Sequence, residues 1–345
     1  MTLEQAAQPL FANHQTFHPR FGWIKKGYDA AEHDYNAFSE VDAPVKLGVG
    51  KNMVEAIRFW ATATRVVMRL PDPERPRQSI YVPTRLGQAL LSDTWGVDPY
   101  AEDPTTLWIL HWHALSSPSL LPVWRAAFND FTPTEFTEKA LFEFCVDEVA
   151  ATTWKQPKPS SIGKDVDCLL RMYTRREARA RQTLDELLDS PFRELGLIIP
   201  SPGGEKNYRF VRGLKPSLTD TAIMYACLDF MNQDGQKVAT ATRLALDPGS
   251  PGRILKIGEE DIVSAAESVS RRVSGIRIAR PAGANQIVVD GNLALVLLSV
   301  VSNHHDNRGQ RLGDLSYLRF GAQFASEPID GQLSLAQSNA ERVRA

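Results

Sequence analysis

Three residues near the N-terminus have side chains that phosphoryl chemistry uses. His14, His18 and Arg20 lie in one aromatic segment that continues to Lys25 and Lys26. A phosphodiesterase needs a nucleophile, a base or metal ligands, together with a cation that stabilises phosphate charge. The segment from residue 14 to residue 26 contains no carboxylate. His14, His18 and Arg20 are therefore candidate catalytic residues, and packing of the aromatic residues with the basic groups at the surface is the structural alternative.

Other catalytic motifs are excluded by their spacing. Gly48–Asn52 suggests a phosphate-binding loop, but a Walker A motif needs glycine at position 45 and serine or threonine at position 52, where this chain has valine and asparagine. No zinc-ligand spacing occurs. His111 and His113 are two residues apart and so face different sides of a helix. We assign both histidines to packing or to the surface, and the metal ligands stay unassigned.

The composition indicates an ordinary globular protein of two or three domains. Hydrophobic residues make up 43% of the 345 residues, and the net charge is only −2. A nucleic-acid site must therefore depend on local charge. Three cysteines without a CxxC pair indicate a reducing compartment. The apolar run Leu293–Val301 is too short to span a bilayer, so we expect a soluble cytoplasmic protein.

A predicted helix from Lys51 to Met68, drawn on a helical wheel as Lys51–Arg69, carries the main nucleic-acid signal. On a helical wheel, Lys51, Arg58, Arg65 and Arg69 fall within roughly 40° of one another, opposite an apolar face. Such a cationic face fits the DNA major groove, where Lys and Arg contact phosphates and guanine edges. The alternative is the solvated face of an ordinary amphipathic helix. Because the face carries no acidic residue, we favour DNA binding.

The neighbouring elements follow the order of a winged-helix module. Two helices joined by a short turn precede a predicted hairpin of Val66–Leu70 and Ser79–Val82. Thr84 is placed to cap the following helix. Arg77 and Arg85 lie in or beside this wing, where contacts to the DNA backbone are expected.

A change in composition near residue 155 predicts a domain boundary, because all seven tryptophans lie in the first 154 residues. The predicted domains are a winged-helix domain with a helical extension (1–154), a helical, winged-helix-like domain (155–320) and a flexible tail (321–345). Ile276–Ile278 and Gln286–Val289 predict a hairpin in the second domain. The basic run Arg175–Arg181 is a solvated helix or a linker. The predicted fold class is mainly α with small β-hairpins (α+β).

Capping residues and prolines predict where further helices begin. Thr132–Glu135 is a predicted capping box with proline at the first helical position. Ser160 or Ser161 caps a helix that continues to about Thr174. The segment from His304 to residue 306 is predicted to be a loop after the apolar run.

Four segments resemble the SspB-like proteins of bacterial DNA phosphorothioation and defence systems. They are His14–Gly27, Leu47–Trp60, Thr84–Gly87 and Ser250–Arg253. The resemblance covers most of the chain, and the Leu47–Trp60 block is its most specific part.

The resemblance implies a protein that binds double-stranded DNA and acts with a cysteine desulfurase, an ATP-using sulfur-transfer protein and an ATPase. Together these proteins replace a non-bridging phosphate oxygen by sulfur. The resemblance also implies nicking of one DNA strand, with Mg²⁺ or Mn²⁺ as the expected metal. It supplies no catalytic residues, and a homodimer is an open alternative.

Two functions therefore stay open: a nicking endonuclease, and a non-catalytic adaptor or transcription regulator that recruits modification enzymes. The feature that separates them is a carboxylate cluster with metal-ligand spacing, which the sequence does not show. The expected DNA-binding residues are Lys25, Lys26, Lys51, Arg58, Arg65, Arg69, Arg77 and Arg85.

Overall fold

The computed structural model describes residues 1–306, except for 73, 74, 76, 95, 175–189 and 205. The predicted basic run Arg175–Arg181 and the predicted tail 321–345 lie outside the described residues. The helices are α1 (Leu3–Ala6), α2 (Trp23–His33), α3 (Ala43–Leu47), α4 (Lys51–Ala63), α5 (Arg85–Leu91), α6 (Pro104–Leu115), α7 (Pro122–Asn129), α8 (Glu138–Ala150), α9 (Pro159–Tyr173), α10 (Asp220–Gln233), α11 (Ala241–Leu246), α12 (Pro251–Leu255), α13 (Glu259–Ser270) and α14 (Leu293–Asp306).

Short strands accompany these helices, so the predicted α+β class is confirmed. They form three small antiparallel sheets with the orders β1-β2, β3-β5-β4 and β6-β8-β7. The strands are β1 (Val67–Pro71), β2 (Ser79–Pro83), β3 (Glu135–Thr137), β4 (Ile198–Pro200), β5 (Asn207–Phe210), β6 (Val238–Thr240), β7 (Ile276–Ala279) and β8 (Gln286–Val289).

The first unit consists of α2, α3, α4 and the predicted hairpin, which is confirmed as β1 paired with β2. Helix α4 ends at Ala63, so the prediction of one helix to Met68 is wrong. The physical cause is local. The Thr64 hydroxyl donates back to the Trp60 carbonyl, and Arg65 then takes a left-handed φ of 62°. The capping role of Thr84 is confirmed, since its hydroxyl accepts from the Gly87 N–H at 3.0 Å.

In the second unit, α8 and α9 lie in the sequence between strand β3 and the hairpin of β4 and β5. Strand β3 pairs with β5, and α8 packs on α9, so the stretch near Lys155 is a loop inside one packed unit. The predicted capping box at Thr132–Glu135 is wrong, because the chain is extended there and Thr137 caps α8 instead. Helix α9 begins at Pro159 with Lys158 as its cap residue, which corrects the predicted serine cap.

The third unit repeats this arrangement, with α11, α12 and α13 between β6 and β7. The predicted hairpin of Ile276–Ile278 and Gln286–Val289 is confirmed as β7 paired with β8. The apolar run Leu293–Val301 lies in α14, which packs on α10. The predicted loop at His304 is wrong, because α14 continues to Asp306.

Helix α6 lies at the centre of the molecule, where every residue from Thr105 to Leu115 is buried. A helix that is apolar on all sides must be covered on all sides. Its two histidines serve packing, as predicted. The Nε2–H of His111 donates to the Ile254 carbonyl, and Nε2 of His113 lies 2.7 Å from the Tyr225 hydroxyl. Burial lowers the pKa of His111 to about 3, so the ring is neutral.

The hydrophobic core runs through all three units as one contiguous cluster of buried side chains. None of the helices in the described ranges combines the length and hydropathy that a bilayer crossing requires.

Candidate nucleic-acid interface

His14, the first catalytic candidate, is buried in the interior. Its Nε2 lies 2.7 Å from Oδ1 of Asp165, and the two side chains are 1% and 3% exposed. The ring stacks on Trp60 and meets the edge of Trp124, with centroid distances of 6.1 and 5.7 Å. Burial raises the pKa of Asp165, and the hydrogen bond from His14 opposes this rise. A DNA phosphate cannot reach a ring in this position, so His14 joins the N-terminal segment to α9.

The other two catalytic candidates do not share these contacts. The Arg20 guanidinium lies 5.3 Å from the Trp23 ring centroid and 5.9 Å from that of Phe17. His18 is half-buried in the same segment. The aromatic packing considered as the structural alternative therefore accounts for Arg20.

The predicted metal was tested against the side chains that could hold it. Within the described ranges, no three His, Cys, Asp or Glu side chains come together as a set of metal ligands. Mg²⁺ usually keeps several waters and needs only one or two carboxylates from the protein, so the metal ligands stay unassigned and we derive no step through a metal.

The predicted cationic face of α4 is interrupted. Arg58 forms an ion pair with Glu55, which the helical wheel had placed to one side. Arg65 lies beyond the helix, and its Nη2 donates to the carbonyls of Ser116 and Pro118 at 2.6 and 3.1 Å. Lys51 is exposed at the start of α4.

The other predicted DNA-binding residues divide by burial. Lys25 is buried and donates to both Asp29 and Asp93, and Arg85 is also buried. A buried cation already engaged inside the protein is not placed to contact DNA. Arg69 and Arg77 are exposed in the hairpin, Arg69 on β1 and Arg77 in the β1–β2 turn. Lys26 is half-buried and donates to the Leu47 carbonyl.

A second basic surface, which we call the α9 patch, was missing from the predicted site. It consists of Lys155, Lys158 and Lys164, which are exposed at and before the start of α9. None of the three forms an ion pair with any described residue. Lys155 and Lys158 also line a cleft of about 390 Å³ with Phe11 and Asn13. The signal available in the sequence was the excess of basic residues after position 154.

The α9 patch has favourable electrostatics for an anion. The start of a helix carries a partial positive charge and exposes unpaired N–H groups. Ser160 and Ser161 follow Pro159 in the first turn and are exposed or half-exposed. Three unpaired ammonium groups next to these donors can hold two or more phosphates of one DNA strand.

The corresponding helix of the third unit has the opposite charge. Helix α13 begins with Glu259, Glu260 and Asp261. These acids suit the helix dipole but repel a phosphate backbone. The start of α13 is therefore unsuited to DNA, whereas the starts of α4 and α9 are basic.

The joint between the second and third units contains two buried lysines. Lys215 donates to the carbonyls of Leu255 and Lys256, and Lys256 donates to the carbonyl of Phe128. Both lysines thus bind helix C-terminal carbonyls, where cations are favourable. Burial lowers the pKa of each to about 7.

These lysines predict stability that increases with pH. Between pH 7 and the ordinary lysine pKa of 10.5, the unfolded chain binds more protons than the folded chain, so the free energy of unfolding rises with pH. We expect an increase of about 1 kcal/mol or more from pH 7 to pH 8.5, measured by urea denaturation. Lys215→Met should flatten this slope, and an unchanged slope in that variant would contradict the assignment.

His304 attaches the last helix to the central helix. Its Nε2 lies 3.0 Å from Oδ2 of Asp103, the cap residue of α6, and 3.0 Å from the Thr105 hydroxyl. Although burial alone would raise the pKa of Asp103, hydrogen bonds from His304 and Thr105 hold it well below its ordinary value. The contact fixes α14 against the centre of the fold.

Comparison with known proteins gives a family and two solved structures. The family model described as "Protein of unknown function (DUF4007)" matches residues 11–305. A structure described as "Magnesium ion-bound SspB crystal structure" is 33% identical with a TM-score of 0.86, and the match covers 99% of this chain and 98% of that one. A second SspB crystal structure is 33% identical with a TM-score of 0.85 and covers 99% of both chains. No functionally curated protein matches the chain.

Proposed function

Because this chain belongs to the SspB-like family, which is described as DUF4007, we propose that it is a DNA-binding component of a bacterial DNA phosphorothioation system. Its sulfur-transfer and ATPase partners would then act on DNA that this protein holds. The similarity to SspB over nearly the whole chain supports this assignment.

We propose further that the three units are winged-helix modules. In the second and third units, a helix precedes the first strand, and two or more helices follow that strand. A hairpin then completes a three-stranded sheet whose central strand is the last one in the sequence. The first unit has three helices followed by a hairpin. The recognition helix of such modules lies before the hairpin and enters the major groove. The last described α-helix before the hairpin is α4, α9 or α13 in the three units, and in the second unit a 3-10 helix at Pro191–Leu195 follows α9.

The observation that carries the DNA proposal is the α9 patch. Its three lysines are exposed and form no ion pair with a described residue, and they lie in or just before the first two turns of the helix that would enter the groove. Cations that are unpaired inside the protein are available to replace the counterions of DNA. Lys51, Arg69 and Arg77 form a second, weaker contact surface on the first unit, and Arg58 joins it only if DNA displaces Glu55.

A salt titration of duplex binding tests the proposal. With about four to six phosphate contacts, log K should fall with log salt at a slope of roughly −4 to −5. Fluorescence anisotropy with a labelled duplex, from low to moderate KCl, measures this slope. No binding at low salt, or binding insensitive to salt, would refute the proposal.

Strand nicking is the second candidate activity, and the observation that favours it is the solved relative described as magnesium ion-bound. We propose that this chain recruits the modification enzymes without cutting, since His14, the first catalytic candidate, is buried. Supercoiled plasmid should then stay intact with Mg²⁺ or Mn²⁺. Nicked product that EDTA suppresses would favour the enzyme instead.

A further inference from the structure

The cleft beside the α9 patch lies between two segments that are far apart in the sequence. One wall comes from residues 9–13, and the other comes from the loop before α9 and the first turn of that helix. The Ala12 N–H donates to Asp165 of α9 at 2.9 Å, and Phe11 contacts Trp154 with ring centroids 6.2 Å apart. These contacts fix one wall against the other, so the cleft is already formed when a ligand arrives.

Cationic and apolar side chains line this cleft together. Lys155 and Lys158 are exposed, and the apolar part of the lining is Pro9, Phe11 and Pro157. The volume of about 390 Å³ falls within the range of ligand pockets, which is about 300–1,000 Å³. A space of this size admits one nucleotide but not a duplex.

Two amide oxygens in the lining are available to a ligand. The Nε2 of Gln156 donates to the carbonyls of Val149 and Trp154 at 3.2 and 3.1 Å, which leaves Oε1 as the acceptor of that side chain. Oδ1 of Asn13, whose Nδ2 donates to the Phe11 carbonyl, likewise accepts no hydrogen bond from the described part of the chain. Amide oxygens suit the exocyclic amino groups of bases.

We propose that this cleft binds one unpaired nucleotide of DNA, with its base against Phe11 and its phosphate at Lys155 and Lys158. This role rests on the proposed DNA binding and specifies the form of DNA that the α9 patch prefers. Neighbouring bases cover the faces of each base in an intact duplex, so an aromatic side chain reaches a base face only when that base leaves the stack. Stacking on an aromatic ring raises affinity by a factor of roughly 5 to 150 per base.

An unpaired nucleotide suits the cleft better than one drawn out of a base pair. Removing a base from a pair costs free energy, and the cost is least where the base is already unpaired. The attraction between lysine and phosphate does not create this preference, because each contact to a single strand releases fewer counterions than a contact to a duplex. A preference for DNA with unpaired nucleotides therefore reports the contact with the base.

Fluorescence anisotropy with two labelled DNAs of one sequence tests the proposal. One is an intact duplex, and in the other one strand lacks its three central nucleotides. The wild type should bind the gapped DNA at least about 5-fold more tightly. Phe11→Leu removes the ring, keeps an apolar side chain and leaves the lysines in place, so it should bind the intact duplex like the wild type and lose most of the preference. Phe11→Tyr keeps a ring and should keep the preference.

Phe21→Leu is the matched control, because Phe21 is a half-exposed aromatic residue outside the cleft, and it should keep the wild-type ratio of affinities. Equal binding of the two DNAs by the wild type, or an unchanged ratio in Phe11→Leu, would overturn the nucleotide site and leave duplex binding standing. Binding of the gapped DNA alone would support the site and refute duplex binding. No binding of either DNA would refute both. The wild-type comparison does not depend on the folding of any variant.

Discussion

Replacing Lys155, Lys158 and Lys164 together by glutamate is expected to weaken duplex DNA binding at least about 100-fold at low salt. The change turns three exposed cations into three anions at the start of α9. It removes three phosphate contacts and places like charges against the backbone. It should also reduce the salt slope by roughly three units, since each lost contact contributes about one. Fluorescence anisotropy with one labelled duplex measures both quantities.

The matched control carries the same change of charge on the third unit. Lys237, Arg271 and Arg272 are exposed there, and their triple replacement by glutamate should change DNA affinity by less than about three-fold. Both triple variants should keep the wild-type Tm within a few degrees, because exposed charges contribute little to stability. If the control weakens binding as much as the α9 variant, only overall charge matters and the assigned interface is wrong.

His14→Ala is expected to destabilise the fold by roughly 3 kcal/mol or more, because it leaves Asp165 buried without its partner. The Asp165 carboxylate also accepts from the Ala12 N–H at 2.9 Å, so the first residues of the chain should lose their attachment to α9. The loss of the imidazole opens space between Trp60 and Trp124 as well. Urea denaturation measures the expected decrease in the free energy of unfolding.

A carboxylate on the same helix provides the control for this prediction. Asp167 is exposed and pairs with Arg171 at 2.8 Å, and Asp167→Asn should cost less than about 1 kcal/mol. If the wild type nicks plasmid, a His14→Ala protein with wild-type stability that has lost this activity would restore the catalytic assignment of His14. Equal destabilisation by both variants would show that charge on α9, rather than the buried pair, is what matters.

Local sequence signals were sufficient for elements whose cause lies within a few residues. The two predicted hairpins were found because their strands alternate around turn-forming residues. The cap at Thr84 follows from a hydroxyl that reaches an N–H three residues ahead. The family resemblance also rests on residues alone.

Predictions failed where strand pairing competed with a local helical signal. The segment after Ala63 continues the helical pattern, but Val66 and Val67 are β-branched and pair with the second strand of the hairpin. The capping box predicted at Thr132–Glu135 does not form, because β3 pairs there with β5, which lies about seventy positions further along the chain. A window of a few residues contains no information about such a partner.

The sequence by itself determined the α+β class, the two predicted hairpins and the membership of a family. Only the tertiary structure decided which basic residues are available to an anion. Arg65 donates to the carbonyls of Ser116 and Pro118 and Lys25 to Asp93, while the α9 lysines are exposed and pair with no acid in the described ranges. The physical reason is that the strength of a charge depends on its distance to other charges and on its exposure to water. Contacts between distant parts of the chain set both quantities.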